Sequence, residues 1–468
     1  MTTAEKEWHR VTHAQQLGEK GIARLLWKFS IPAIVGMLVH ALYNVVDRIF
    51  IGHAVGSIGI AGISVAFPMM IILMAFGMLI GFGANSLISI RLGQQRRDEA
   101  QKVLGNALVL FLIVSAVLTM SGLMFTTPIL KVFGASAEIL PYSRDYLRII
   151  LLGTIFQSIG FGMNNFIRGE GNPRIAMITM LIGAILNMIL DPIFIFGFSM
   201  GIKGAAIATV LSQAVTSVWV LSYFLGGKSL LKIHRYNFRL DPHIVRSILA
   251  VGSAPFAMQL TSSVIISLVN HQLRIYGGTV AISVMGIMFS ILMLILMPVI
   301  GISQGAQPII GYNYGAKNFD RVIKTVRLAA VWASGVTLAG FFMAMIFPTW
   351  IISLFNRNDP GLPIMGSHAM RVFLMFLPII GFQIVCANYF QAVGKPRQAI
   401  LLNLSRQVFL LIPALLILPL FFGLDGVWLA GPFSDLGASL LTGLLMVYEI
   451  RFLKTETRRK ELYGDMSQ

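Results

Sequence analysis

The chain has 468 residues, of which 56% are hydrophobic and 12% charged, about half the charged share usual in soluble proteins. That is too little polar surface for a water-soluble globule and too much apolar surface for a disordered chain. The lone Cys386 excludes a disulfide framework, and the net charge of +17 lies in short loops between apolar runs rather than in a nucleic-acid-binding patch.

Residues 1–24 are polar and lack the short apolar core and small-residue cleavage site of a signal peptide. Beyond them come about twelve apolar stretches, each long enough for the ~20 residues a span requires. They are expected at 25–51, 56–90, 103–126, 143–167, 174–197 and 203–225, then at 247–273, 279–312, 325–348, 367–391, 398–421 and 426–450. The second and eighth exceed bilayer thickness and are expected to tilt or protrude. The expected fold is therefore all-α and integral to the membrane. Its parts are an N-terminal segment (1–24), an N-lobe of six helices (25–225), a linker (226–246), a C-lobe of six helices (247–450) and a basic tail (451–468).

Loop charges orient the spans. Arg91, Arg96, Arg97 and Lys102 lie in one set of loops, together with Arg168, Arg174, Lys317, Arg321, Lys395 and Arg397, the basic residues of 226–246 and those of the tail. The alternate loops hold little beyond Lys131, Lys203, Arg274 and Arg357. By the positive-inside rule, linker, tail and both termini are expected to be cytoplasmic. Within the linker, Gly226-Gly227-Lys228-Ser229 resembles the end of a phosphate loop, but Ser222 stands where the first glycine belongs.

The two halves repeat at a shift of 222–223 residues. Gly83, Ala84, Gly93 and Asp98 fall on Gly305, Ala306, Gly315 and Asp320; Gly171, Pro173 and Arg174 on Gly394, Pro396 and Arg397; and Gly201, Gly204, Ala208 and Ser212 on Gly423, Gly426, Ala430 and Ser434. Six helices per half is an even number, so the halves are expected to be parallel repeats about an axis along the membrane normal, an arrangement frequent in secondary transporters.

Ionisable residues inside a bilayer mark functional sites. In the first span, His40, Tyr43, Asn44 and Asp47 share one helical face, and Pro32 near its start is a candidate bending point. In the fifth, Asn187 and Asp191 are four residues apart, followed by Pro192. Thr209 lies about two turns into the sixth. Counting from the span ends puts Asp47, Asp191 and Thr209 at one depth. Two carboxylates, an amide and a hydroxyl at one level suit either Na⁺, held through oxygens of Asp47, Asn187, Asp191 and Thr209, or a proton shared by the acids. The alternatives are an interfacial pair of Asp47 with Arg48, a helix-end role for Asp191, and packing or interhelical hydrogen bonds for His40, Tyr43 and Asn44. Asp47 falls on Asn270 and Asp191 on Ala414, so ion coupling is expected in the first half. Asp435 in the last span is a candidate for either the substrate cavity or helix–helix hydrogen bonding. Phe161, Met163, Met180 and Met285 are candidates for an adaptable apolar cavity, with plain packing as the alternative.

The segments LYNVVDRIFIG after Pro32, NMILDPIFIF, GIKGAAIATVLSQ, RGEGNPR and AVGKPRQA, taken together, resemble the multidrug and toxic compound extrusion (MATE) family. The resemblance covers nearly the whole chain and is closest to the bacterial branch with MepA-like and DinF-like proteins. It implies a V-shaped pair of six-helix bundles and an antiporter, not an enzyme, that exports amphipathic, often cationic compounds by alternating access. H⁺ or Na⁺ would be the coupling ion, without a further cofactor. The cation site carries over to Asp47, Asn187, Asp191 and Thr209, and the bending helix to Pro32. The seventh and tenth helices lack the acids another branch uses there. The resemblance implies a monomer in the bacterial inner membrane, in contact with lipid and with no nucleic-acid partner. The alternatives are a lipid-linked oligosaccharide flippase of the same superfamily, a dedicated metabolite exporter, and a passive channel or scaffold.

Overall fold

The structure is a computed structural model that describes residues 15–227, 229–353 and 361–463. Among them every regular element is helical. Hydrocarbon offers no hydrogen bonds, so a spanning segment closes its own backbone bonds, and a helix does so locally. The order is α1 (Ile22–Gly93), α2 (Arg97–Met124), α3 (Thr126–Val132), α4 (Leu140–Leu152), α5 (Thr154–Gly169), α6 (Pro173–Pro192) and α7 (Gly201–Leu225). Then come α8 (Pro242–Gly315), α9 (Phe319–Ile346), α10 (Pro348–Ser353), α11 (Gly361–Phe373), α12 (Leu377–Ala392), α13 (Pro396–Leu404), α14 (Ile412–Phe422) and α15 (Leu424–Tyr463). Two π-helical turns, Ile193–Gly197 and Ser405–Leu411, follow α6 and α13.

Ten helical stretches of the described chain are long and apolar enough to span, and two bent pairs raise the number to twelve. The 72 residues of α1 would reach roughly 108 Å at ~1.5 Å per residue, so α1 carries two spans, Ile22–Tyr43 and Ala61–Gly93. In α8 the backbone breaks at Gly278, with φ 66° and ψ −160°, a conformation essentially reserved for glycine. The bent pairs are α4 with α5, at 54°, and α11 with α12, at 44°. Their breaks, at Gly153 and around Met375, differ by the repeat shift. A Cβ at Gly153 would lie 2.5 Å from Val210 Cγ2, so the bend comes where α7 packs closest.

Backbone conformation repeats as the sequence does. Positive φ occurs at Gln95 and Lys317, at Gly171 and Gly394, and at Gly201 and Gly423, each pair 222 or 223 residues apart. These are the left-handed residues that end one helix and start the next.

The chain forms two compact units. One contains Val35–Gln259, and the other contains Lys20–Ile34 with the chain from Leu260 onward. The first unit therefore includes the opening of α8, and the second the opening of α1. Close glycine contacts fix both arrangements. In the first unit a Cβ at Gly252 would sit 1.7 Å from the Leu79 carbonyl oxygen, and one at Gly83 2.2 Å from that of Ile248. In the second, a Cβ at Gly305 would sit 2.8 Å from the Ser30 nitrogen, and one at Gly301 2.8 Å from that of Ile34. The repeat shift converts Gly83 against Gly252 into Gly305 against Ser30, so one packing device serves both units. Each unit also has its own apolar core, around Leu73, Tyr146 and Leu151 in the first and Leu273, Met288 and Trp428 in the second.

The polar stretch 226–246 is docked on the first unit. Leu231 and Asn237 are buried. Arg97 Nε donates to the Leu230 carbonyl at 2.9 Å, and Asn106 Oδ1 accepts from Asp241 N at 2.7 Å. The central anchor is Glu170, 1% exposed between α5 and α6. Its carboxylate accepts from Tyr223 Oη, from Ser229 Oγ at 2.6 Å, and from the backbone N–H of Leu230 and Leu231 at 3.1 and 3.3 Å. Ser229, the last residue of the phosphate-loop look-alike, is thus committed to a structural bond.

Two outcomes follow from these contacts. Gly252→Ala forces backbone to move and should cost roughly 1–3 kcal/mol, read as a lower thermal midpoint in detergent. Gly286→Ala, with nothing within 4 Å of its Cβ, should leave the midpoint unchanged. Burial pushes the Glu170 carboxyl up to about 7 from its ordinary 4.5, against the pull of its four donors. The folded protein then keeps a proton that the unfolded chain releases. This contribution, about 3 kcal/mol by the shift, is complete below about pH 4.5 and is lost as pH rises to about 7. Wild type should lose thermal stability across that window, and Glu170→Gln should show a flatter profile.

Candidate functional site

Four of the expected residues meet in the first unit. Asn187 and Asp191 are one turn apart on α6, and Asn187 Nδ2 donates to Asp191 Oδ1 at 3.3 Å. Pro192 follows at once. It has no N–H to give to the preceding turn, and the helix passes into the π-turn Ile193–Gly197. The chain then reverses through Ser199 and Gly201, both at positive φ. The opening of α7 presses on the π-turn so closely that a Cβ at Gly204 would lie 2.7 Å from the Phe194 carbonyl. This return places Thr209 opposite Asn187, whose Nδ2 also donates to Thr209 Oγ1 at 3.4 Å. Asp47, on α1, stands against Asp191, near enough for electrostatic and hydrogen-bond interaction between the two carboxyls.

Burial sets the electrostatic character. Asp191, Asn187 and Thr209 are 0%, 2% and 9% exposed, and Asp47 is half-buried. The amide nitrogen of Asn187 is directed at protein oxygens, while its Oδ1 is buried with no hydrogen-bond partner. An unsatisfied buried acceptor beside two carboxylates is a costly arrangement for the protein alone. The acceptor atoms gathered here are all oxygens, as a hard cation requires. Two acids side by side equally suit a shared proton.

The other expected residues divide. Tyr43 is half-buried on α1. The side chains of His40 and Asn44 lie outside the described residues. Pro32 is buried, and the helix runs unbroken through it. Phe161 is half-buried and meets Phe82 edge-on at 6.5 Å. Met180 packs over Gly36. Met163 is fully buried in the first unit, and Met285 belongs to the core of the second. Asp435, 4% exposed, accepts from Arg406 Nε at 2.6 Å.

Three further charged groups take side-chain partners that the sequence does not announce. Arg406 lies inside the expected span 398–421, where an arginine within NLSRQVFLL is itself an intramembrane signal. Arg168, counted among the loop charges, is buried and bonded to Asn165. Glu449, near the end of the last apolar span, is 3% exposed and gripped by Lys395 Nζ at 2.6 and 2.7 Å and by Tyr389 Oη at 2.9 Å.

The chain resembles known proteins over most of its length. The MatE family model matches twice, over residues 32–193 and 254–416, again one repeat shift apart. The multidrug export protein MepA of Staphylococcus haemolyticus is 29% identical, with 92% of this chain and 95% of that protein covered. MepA of Staphylococcus saprophyticus is 30% identical over 93% and 96%. Among solved structures, the MATE multidrug transporter DinF-BH in complex with rhodamine 6G superposes with a TM-score of 0.86 at 42% identity, covering 92% of this chain and 96% of that one. An outward-facing multidrug resistance MATE family transporter superposes with a TM-score of 0.89 at 27% identity, covering 94% and 98%. The two matched segments span more than half of the sequence, and the chain belongs to the MatE family.

Proposed function

We propose that the protein is a multidrug exporter driven by inward flow of H⁺ or Na⁺. It works by alternating access, in a bacterial plasma membrane with both termini cytoplasmic. The observation that carries this reading is the cluster of Asp47, Asp191, Asn187 and Thr209 in the first unit. Asp47 lies on α1, the helix that contains Pro32, whereas Asn187, Asp191 and Thr209 lie on the hairpin of α6 and α7. A cation arriving at the acids neutralises their mutual repulsion and draws α1 toward the hairpin; its departure lets them part. Binding that differs between two conformations is what couples an ion to a conformational equilibrium. The export activity named for the matched relatives, and a neighbour solved with rhodamine 6G, support amphipathic organic compounds as cargo.

The equivalent positions of the second half hold Asn270 and Ala414, and neither carries charge. The coupling ion is therefore assigned to the first unit, and each transport cycle needs one cation site rather than two.

Proteoliposomes loaded with rhodamine 6G test the reading, under a pH gradient alone and a Na⁺ gradient alone. Wild type should move the dye uphill with one of them, and Asp47→Asn should lose at least about tenfold of that rate while remaining folded. Full gradient-driven export by an Asp47→Asn/Asp191→Asn variant would overturn it. Thr209→Val then separates the ions. A sodium site loses an oxygen ligand, so half-saturation shifts to higher Na⁺. A proton site needs only the carboxylates and keeps its pH-driven rate.

A further inference from the structure

The second unit contains a charged pair deep in its spans. Arg406 is ten residues beyond the start of Pro396–Phe422, and Asp435 eleven beyond that of Leu424–Arg459. At ~1.5 Å per residue both lie roughly 15 Å along their helices, well inside stretches long and apolar enough to span. Arg406 Nε donates to Asp435 Oδ1 at 2.6 Å; the aspartate side chain is 6% exposed and that of the arginine 31%.

This asymmetry is informative. The acid is sealed behind the guanidinium and occupies only its Nε–H. Nη1 and Nη2 make no hydrogen bond to the described residues. The Arg406 side chain keeps about a third of its surface exposed, and an arginine fork at this depth is strongly disfavoured against lipid. The backbone contributes as well. Arg406 sits in the π-turn Ser405–Leu411, whose extra residue re-aims side chains relative to a regular helix, and such turns concentrate at functional sites. One turn beyond Asp435 on the same helical face, Ser439 Oγ is buried with no hydrogen-bond partner.

A guanidinium held at Nε by a buried carboxylate presents its two terminal nitrogens as a planar fork. That fork matches a carboxylate in a two-point, charge-assisted contact that an ammonium cannot reproduce. We propose that Arg406, oriented by Asp435, binds the carboxylate of amphipathic aromatic acids, so that the second unit selects zwitterionic cargo. The assignment rests on the exporter reading for its cargo, but binding itself is measurable without transport.

The test uses purified full-length protein in detergent and two dyes that differ at one group: rhodamine 6G, an ethyl ester, and the corresponding free acid. Binding of each is read by fluorescence polarisation. Arg406→Gln should weaken the free acid by about tenfold, as expected for loss of a charge-assisted pair, and leave the ester within about twofold, with Arg406→Lys recovering only part. Removing the arginine alone strands a buried carboxylate, so Arg406→Gln/Asp435→Asn serves as the neutral companion and should show the same selective loss. Retained ester binding reports that each variant is folded. Unchanged binding of the free acid in both variants, equal weakening of the two dyes, or no binding of the free acid by wild type would each overturn the assignment. Failure of wild type to export rhodamine 6G would count against the exporter reading alone and leave the binding comparison standing.

Discussion

The requirement that a chain in hydrocarbon close its own backbone hydrogen bonds shapes the rest of this structure. Helices satisfy it cheaply, so departures from helix are few, and each has a local compensation. Gly278 breaks α8 in a conformation other residues avoid. Gly153 bends the α4–α5 pair where α7 comes closest. Pro192 and the π-turn after it end α6 beside the two acids, and the second π-turn carries Arg406. Asp191 and Arg406 thus lie at places where the ladder is already interrupted, whereas Asp47 and Thr209 lie within regular helix. An interrupted ladder brings polar backbone groups and irregular packing together, and a buried polar side chain finds partners there that a regular apolar helix does not offer.

The repeat adds a second constraint, because one backbone plan must serve two different jobs. The shared parts are geometric: the paired positive-φ residues, the two bent spans, and the exchanged contacts of Gly83 with Gly252 and of Gly305 with Ser30. The divergent parts are electrostatic. The loop after α5 holds Glu170, which gathers four donors and fastens the stretch 226–246. The matching loop after α12 offers Lys395 to Glu449 of the last helix. Both loops are tied down through a buried carboxylate, with the acid in the loop in one case and on the helix in the other. Backbone shape tolerates little change between copies, whereas charge can be redistributed once the shape is secure.

Much of this was legible in the sequence because membrane constraints are one-dimensional. Apolar length gave the spans, and the Gly and Pro matches gave the repeat. The i, i+4 spacing of Asn187 and Asp191 gave a shared face, and depth counting brought Thr209 and Asp47 to their level. What remained hidden depends on tertiary partners. Arg406 lies in a strongly apolar run, and nothing local announces that Asp435 is its partner 29 residues away. Nothing local to Glu170 or Glu449 announces their burial, since burial of a helix end is decided by which segment docks over it. Met163 and Met285 could not be told from cavity residues by type alone; their places in the interior are settled by neighbours, as for most methionines at helical spacing.

The two units end in opposite electrostatic conditions. In the first, two carboxyls face each other, the hydrogen bond described at Asp191 comes from a neutral amide, and the amide oxygen of Asn187 is unfilled. Such a cluster gains most from a cation, because a proton or sodium ion removes a repulsion that no neutral donor cancels. In the second, Asp435 is already neutralised by Arg406, and the atoms left open are donors. A site of that kind has no use for a cation and gains from an anionic group. On the proposed reading, the same lobe plan yields a cation-seeking centre in one copy and an anion-accepting one in the other. The two can respond to different ligands without competing for the same charge.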